Sequence, residues 1–87
     1  MPPRPGKITA KRARLWERRR VAVGLRVRLL RYERGLTQEQ LAAAAGMSRN
    51  SLLWLENGQR SLLFDRLYDL ADALGVEIGD LLPTDSK

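Results

Sequence analysis

The sequence of 87 residues contains no cysteine and no histidine. Without them the chain cannot form disulfides, build a zinc site from Cys and His, or use a thiolate or an imidazole in catalysis. The carboxylates of Asp65, Asp69 and Asp72 lie between apolar residues at helical spacing, which is typical of a solvated helix face. We therefore expect no catalytic constellation, no metal site and no cofactor, and we predict that the protein is not an enzyme.

Long apolar runs and the alternation typical of β-strands are also missing. Residues 1–20 contain no apolar segment of the kind found in secretory signals, and no run of about eighteen apolar residues could span a membrane. A chain of this length is long enough for one hydrophobic core and too short for two. We therefore expect a single all-α domain located in the cytoplasm.

The net charge of +6 is unevenly distributed along the chain. Residues 1–34 contain twelve Lys or Arg and two acids, whereas residues 35–87 contain four Lys or Arg and eight acids. The first part therefore carries +10 and the remainder −4. This asymmetry indicates a polyanionic partner, either nucleic acid or an anionic membrane surface.

The N-terminal third contains an extended start followed by a long helical stretch. Prolines at positions 2, 3 and 5 disfavour a helix in residues 1–7. From Thr9, a possible cap, residues 10–34 are good helix formers with Gly24 as the interior weak point, and Gly35 can end the helix. We expect a basic extension over residues 1–20 that forms an extra helix or extends the first one; whether residues 9–34 form one helix or two stays open.

Two short helices follow. Thr37 and Gln40 form the pattern of a capping box, which predicts a helix over residues 38–45. Gly46 ends that helix, and Ser48 is placed to cap the next one, which runs to about Asn57. The sequence thus predicts two short helices joined by a glycine-containing turn.

A fourth and a fifth helix complete the predicted domain, which spans residues 21–82 and is followed by a polar tail over residues 83–87. The fourth helix is expected to begin at Ser61 or nearby and to end at Gly75. Its predicted apolar face consists of Phe64, Leu67, Leu70, Ala71 and Leu74. The last short helix contains Val76 and Leu82 and is stopped by Pro83.

These segments resemble a known family of small DNA-binding domains. Four segments carry the resemblance, in this order: V-G-L-R-V-R-L-L-R-Y-E-R-G-L-T, Q-E-Q-L-A-A-A-A-G-M-S, L-E-N-G and L-A-D-A-L-G-V-E-I-G-D-L-L. Together they are similar, over about sixty residues, to the Cro/C1-type (XRE-type) helix-turn-helix family. The resemblance implies the five-helix, lambda-repressor-like fold, binding to double-stranded DNA and a recognition helix over residues 48–57.

The resemblance also implies which side chains contact DNA. A recognition helix with Leu52 and Leu55 inward would begin at Ser48 and turn four side chains toward the major groove: Arg49, Asn50, Leu53 and Trp54. Arg49 can pair with guanine and Asn50 with adenine. Gln38 and Asn57 match positions that contact phosphate. The alternatives are that Gln38 is only a helix former, Arg49 a solvated charge and Asn57 a turn residue.

A structural ion pair is implied as well. Arg31 and Glu56 match positions where an arginine of the first helix bridges to a glutamate that ends the third, holding the recognition helix in place.

The sequence departs from the family pattern in two places. Leu53 and Trp54 place large apolar groups where polar readers are usual, so that Trp54 either packs on thymine methyl groups or marks a protein interface, and Leu62 and Leu63 replace the usual entry to the fourth helix.

The first helix is predicted to carry a second apolar stripe. Its residues lie within about 100° of one another on a helical wheel with 3.6 residues per turn. They are Leu15, Ala22, Leu25, Leu29 and Tyr32. This stripe is either a homodimer seam or the surface over which the N-terminal segment, including Trp16, folds back.

The arginines of the extension are expected to increase the affinity for DNA, since they neutralise phosphates without reading the base sequence. The alternative is that the extension only keeps the protein soluble. The DNA-contacting members of this group are Arg12, Arg14, Arg18 and Arg19.

Together these features predict a nucleoid-associated transcriptional regulator, a repressor that acts as a homodimer, with no membrane partner and no small-molecule effector. The alternative is a protein-interaction module on the same fold, such as an antitoxin or an adaptor.

Overall fold

The structure, a computed structural model, describes residues 9–83. These residues form four α-helices, α1 (Ala10–Glu33), α2 (Gln38–Ala45), α3 (Arg49–Glu56) and α4 (Phe64–Leu74), followed by a 3-10 helix over Ile78–Leu81. No strand occurs in this part of the chain, and the predicted all-α class is confirmed. The expected fifth α-helix is instead a single 3-10 helix of four residues. The predicted extended start over residues 1–7 and most of the predicted tail over residues 83–87 lie outside the described residues.

The described part of the basic extension, residues 10–20, and the first core helix form one continuous helix. α1 contains 24 residues and is therefore about 36 Å long at 1.5 Å per residue. The hydroxyl of Thr9 caps its first turn by accepting a hydrogen bond from the amide of Arg12 at 3.1 Å. The helix passes through residues 20 and 21 without interruption. The question of one helix or two is thus answered in favour of one.

Local sequence signals set the ends of α2 and α3. The predicted capping box is present, because the amide of Gln40 donates to the Thr37 hydroxyl at 3.0 Å and the Thr37 amide donates to Gln40 Oε1 at 2.9 Å. Gly46 ends α2 in the left-handed conformation with φ of 68°. Ser48 then caps α3 through a hydrogen bond from the Ser51 amide at 3.0 Å. The two short helices and their turn are therefore as predicted.

The entry to α4 differs from the sequence prediction. The helix begins at Phe64, and its N-cap, Leu63, provides no side-chain hydrogen bond. Phe64 is 65% exposed and stacks edge-on against Tyr68, with ring centroids 5.1 Å apart. Leu67 is only half-buried. The predicted apolar face is therefore wrong at Phe64, whose ring contacts Tyr68 along the surface of α4 itself. Leu67 lines a cavity with Val23 of α1 and Leu55 of α3.

The core draws side chains from every helix. Its members are less than 5% exposed, and burial of a leucine or valine contributes about 1.5–3 kcal/mol relative to exposure. They are Val27 and Leu30 of α1, Leu41, Ala42 and Ala45 of α2, Leu52 and Leu55 of α3, Leu70, Ala71 and Leu74 of α4, and Leu81 of the 3-10 helix. The buried residues of α1 all lie in its second half, beginning at Gly24. The second half of α1 thus packs in the domain, and six of the nine Lys and Arg residues of this helix lie in its first half.

Gly24 lies at a close approach between α1 and α3. A Cβ at this position would collide with the backbone carbonyl of Leu55 and would lie 2.7 Å from the carbonyl oxygen of Glu56. The residue that weakens α1 by propensity therefore permits its packing against the end of α3.

None of the helices described between residues 9 and 83 is long and apolar enough to cross a membrane.

Candidate nucleic-acid interface

The buried carboxylate of Glu56, at the end of α3, is the centre of a polar cluster. Its Oε2 accepts a hydrogen bond from Arg31 Nε at 2.7 Å, and its Oε1 accepts from Arg31 Nη2 at 3.2 Å and from Gln38 Nε2 at 3.1 Å. Arg28 Nε lies 3.6 Å from the same Oε1. Glu56 is 3% exposed and Arg31 is 6% exposed. A single carboxylate thus connects α1, α2 and α3.

The pairing also keeps Arg31 charged. The hydrogen bond to Glu56 raises the pKa of Arg31 above its ordinary value, although burial acts in the opposite direction. Arg31 Nη1 donates to the carbonyl of Leu36 at 2.9 Å, and the guanidinium lies 4.7 Å from the ring centroid of Tyr32. The arginine that the resemblance placed opposite Glu56 therefore also holds the turn between α1 and α2.

The outward face of α3 carries the residues that the resemblance assigned to DNA. Arg49 and Asn50 are exposed, whereas Leu53 and Trp54 are half-buried. Ser48 is exposed but its hydroxyl is engaged, since it accepts from the Ser51 amide and donates to Ser51 Oγ at 2.9 Å. Arg49 and Asn50 are the exposed members of this face whose side chains make no hydrogen bond within residues 9–83.

Gln38 and Asn57 lie at the edges of this face and take part in bonds within the protein. Gln38 is the first residue of α2 and donates to Glu56, as described above. Asn57 Oδ1 accepts a hydrogen bond from Arg28 Nη2 at 2.6 Å. Arg28 was missed by the sequence reasoning, and only the packing of α1 against α3 brings it to this site, because it is 29 residues away from Asn57 in the chain.

A second residue missed by sequence reasoning is Arg60, in the turn between α3 and α4. Its guanidinium carbon lies 3.8 Å from the centroid of the Trp54 ring, in a cation–π stack. The side chain of Arg60 is exposed. Its position in the sequence offers no periodic signal, because it follows α3 across the reversal at Gly58. Trp54 is thus not a bare apolar group on the face of α3.

The arginines assigned to DNA in the basic extension lie along the first half of α1. Arg12, Arg14, Arg18 and Arg19 are all exposed, and Arg12 is placed 5.8 Å from the centroid of the Trp16 ring. Val21, in the adjoining part of α1, packs against Gly58, just after the end of α3. The contact is so close that a Cβ at Gly58 would lie 2.7 Å from Cγ2 of Val21. Arg19 lies beside the α3–α4 turn, where it lines a cavity with Arg60 and Leu62. Arg12, Arg14 and Arg18 lie nearer the N-terminal end of the helix.

The second apolar stripe of α1 is exposed at three of its five residues in the described part of the chain. Leu25 is 48% exposed, Leu29 45% and Tyr32 62%, whereas Leu15 and Ala22 are half-buried. Trp16 belongs to the same continuous helix and is 37% exposed. The alternative in which the N-terminal segment folds back over the stripe is therefore wrong for Trp16, which lies in the same continuous helix as the stripe. Residues 1–8 of that segment lie outside the described residues.

Acidic residues in the described part of the chain do not cluster for metal binding. Among residues 9–83, no group of three or more Asp or Glu side chains is close enough to hold a metal ion.

α2 and α3 are two short helices joined at a left-handed glycine. A buried ion pair fixes α3, and polar side chains lie on its outward face. This arrangement defines a helix-turn-helix domain. Comparison with known proteins agrees: residues 27–81 match the helix-turn-helix family. The chain belongs to this family, in its Cro/C1 (XRE) type.

Its relatives include regulators from bacteria and phage. The chain is 46% identical over 67 residues to an uncharacterized HTH-type transcriptional regulator, y4dJ, of Sinorhizobium fredii, a match that covers 76% of this chain and 87% of the relative. It is 36% identical over 62 residues to the immunity repressor protein of Bacillus phage phi105, covering 71% of this chain and 43% of that protein.

Solved structures show the same fold. The restriction-modification controller protein C.AhdI of Aeromonas hydrophila superposes with a TM-score of 0.70 at 39% identity, covering 71% of this chain and 94% of that one. The clp gene regulator ClgR of Corynebacterium glutamicum gives a TM-score of 0.69 at 32% identity, covering 71% of this chain and 66% of ClgR.

Proposed function

We propose that the protein is a sequence-specific DNA-binding transcriptional regulator that represses transcription as a homodimer. The observation that carries the proposal is the exposed pair Arg49 and Asn50, on a helix whose far end is held by the buried pair Arg31 and Glu56. The names of two relatives, a transcriptional regulator and an immunity repressor, support the same class of function. A binding role of this kind needs no catalytic residue, metal or cofactor.

Base recognition is assigned to the N-terminal end of α3. Arg49 can donate two hydrogen bonds to O6 and N7 of guanine, and Asn50 can pair with N6 and N7 of adenine. Their backbone is held in position by the Ser48 cap and by the bonds to Glu56, so that little conformational freedom is lost when DNA binds. This arrangement supports Arg49 and Asn50 as the residues that determine specificity.

Phosphate contacts are assigned to residues beside α3 and to the extension. Gln38 lies in the first turn of α2, where unpaired backbone N–H groups and the helix dipole favour a phosphate. Asn57 is fixed by Arg28, which adds positive charge at the other end of α3. The exposed arginines of α1, Arg12, Arg14, Arg18 and Arg19, add attraction that is independent of sequence.

The homodimer is assigned to the uncovered stripe of α1. Leu25, Leu29 and Tyr32 are between 45% and 62% exposed, and a solvent-exposed apolar strip of this kind is typical of a helix that pairs with another helix. A dimer would place two copies of α3 on two half-sites. We place the protein in the cytoplasm, on the nucleoid, without a membrane partner and without a small-molecule effector.

A protein-interaction module is the second candidate function. The observation that favours it is a separate apolar patch at the start of α4, where Leu63 is 75% exposed, Phe64 65% and Tyr68 46%. Aromatic side chains of this kind are frequent anchors in protein interfaces. An antitoxin or adaptor would bind its partner through this patch and would not depend on Arg49.

Selection of bound sequences from random DNA tests the proposal. A regulator of the proposed kind will enrich one consensus, and a homodimer will enrich a palindrome with half-sites about one helical turn apart. Recovery of random sequences, or of no DNA at a salt concentration where a known repressor binds its operator, would contradict the proposal. An asymmetric single site would support the reader function and contradict the homodimer.

A further inference from the structure

Trp54 and Arg60 form a structural unit on the flank of α3. Trp54 lies four residues after Asn50 and so shares its outward face of the helix. The guanidinium of Arg60 covers one face of the indole ring at 3.8 Å. Tryptophan is the aromatic residue that attracts a cation most strongly, and the planar guanidinium of arginine is suited to stacking on an aromatic face.

The turn that carries Arg60 is itself tightly held. Gly58 adopts a left-handed conformation with φ of 69°, which returns the chain toward α3. The amide of Gln59 then donates to the carbonyl of Trp54 at 2.9 Å, which places the next residue, Arg60, beside the indole. Gly58 is pressed against Val21 of α1, so this turn has little room to move.

The stacked guanidinium retains its donors. Stacking occupies the face of the group, whereas its N–H bonds point outward from its edge. Within residues 9–83, these N–H groups have no hydrogen-bond acceptor and no carboxylate partner. An oriented cation with free in-plane donors beside a DNA-reading helix is suited to an oxygen acceptor, either a phosphate or the O6 and N7 edge of guanine.

We propose that Arg60 contacts DNA from this stack and that Trp54 is a positioning residue that holds the guanidinium in place. The proposal rests on the DNA-binding function proposed above and adds a contact from outside the recognition helix. It replaces the interpretation in which the indole itself packs on thymine methyl groups. Trp54, the apolar side chain that departs from the family pattern, then acts by orienting Arg60 for a polar contact with DNA.

The test measures the dissociation constant on the duplex recovered by selection, for single variants and for one double variant. Arg60→Ala should weaken binding by about 5- to 150-fold, since a bidentate arginine contact contributes about 1–3 kcal/mol. Trp54→Leu, which preserves an apolar side chain without a π face, should cause a similar loss. The double variant should bind no more weakly than Arg60→Ala alone, because both changes remove the same contact.

Four further variants sharpen the test. Arg60→Lys should recover only part of the affinity, since lysine retains the charge without the planar fork, and Trp54→Phe should be intermediate. Arg26→Ala removes an exposed arginine that bonds to the carbonyl of Asp80, and Tyr68→Ala removes an exposed aromatic residue of α4; both should leave affinity near that of the parent protein. Thermal melts monitored by circular dichroism establish that each variant is folded, and Trp54→Phe substitutes for Trp54→Leu if the latter is not.

The pattern of loss separates the two acceptors. An equal loss on all duplexes identifies a phosphate, and a loss that disappears when one base pair is changed identifies a guanine; either outcome supports the proposal. Full affinity of Arg60→Ala, full affinity of Trp54→Leu, or losses that multiply in the double variant would overturn it. If the parent protein binds no DNA, both this proposal and the proposed function fail, whereas a binding parent with a neutral Arg60→Ala contradicts only the contact.

Discussion

Gly24 of α1 packs directly against the backbone carbonyl of Leu55 in α3. No side chain separates the two helices at this point, and the carbonyl oxygen of Glu56 would lie only 2.7 Å from a methyl group added to Gly24. The contact lies one residue from the carboxylate that Arg31 binds. Close backbone approach and the ion pair together determine the position of α3 on α1.

Gly24→Ala should therefore destabilise the protein, although the same change in an exposed helix interior would stabilise it by about 0.5–1 kcal/mol. We expect a loss of about 1–3 kcal/mol in the free energy of unfolding, as for other overpacked sites, measured by urea denaturation. Gly79→Ala is the matched control, because a Cβ there meets no atom within 4 Å. Equal effects of the two changes would show that the α1–α3 contact is looser than described.

Glu56→Ala should be strongly destabilising because it leaves Arg31 charged and buried without its partner. Removal of one member of a buried ion pair costs about 3–5 kcal/mol, and Gln38 and Arg28 lose an acceptor as well. Glu39→Ala, at an exposed position of α2, should change the free energy of unfolding by less than about 0.5 kcal/mol. Small and equal losses in denaturant melts would exclude a stabilising role for the cluster.

Arg49→Ala should weaken binding to the selected operator by about 1–3 kcal/mol and relax discrimination at one base pair, without altering thermal stability. Fluorescence anisotropy on single-base-pair variants of the operator measures both effects, with Arg26→Ala as the control. If Arg49→Ala leaves the biological function intact while Phe64→Ala abolishes a partner complex, the protein-interaction module is the correct function.

Replacement of Arg12, Arg14 and Arg18 by glutamine should weaken binding to specific and unrelated DNA alike. The slope of log K against log salt should decrease by about 0.9 for each phosphate contact that is lost. Substitution is preferable to truncation, because α1 begins at Ala10 and a deletion would remove its cap. A change in the preferred sequence would instead mean that these arginines read bases, as minor-groove arms do.

Leu29→Glu should preserve the fold and shift the protein to the monomer mass in sedimentation experiments. The side chain is 45% exposed, so the charge is tolerated in the monomer but costly in a helix pair. Leu63→Glu, at a more exposed position of the α4 patch, should leave the mass of the dimer unchanged. A dimer that survives Leu29→Glu would place the interface on another surface.

Part of this arrangement could be predicted from the sequence, because the relevant signals are local. The Thr37 and Gln40 capping box and the Ser48 cap act within a single turn of helix, and a glycine at position 46 adopts the left-handed conformation with little strain. The family motifs likewise indicated the pair Arg31 and Glu56. These features define the two short helices and the outward position of Arg49.

The tertiary structure decided what depends on contacts between distant residues. Propensity alone left the number of helices in residues 9–34 open, and the close packing of Gly24 on α3 accounts for a glycine inside one continuous helix. Periodicity placed Phe64 and Leu67 on one apolar face of α4. Whether a residue on that face is buried depends on the packing of other helices against it, which periodicity does not show. The stack of Arg60 on Trp54 depends on the chain reversal at Gly58 and on its packing against Val21, a contact across 37 residues that no local pattern encodes.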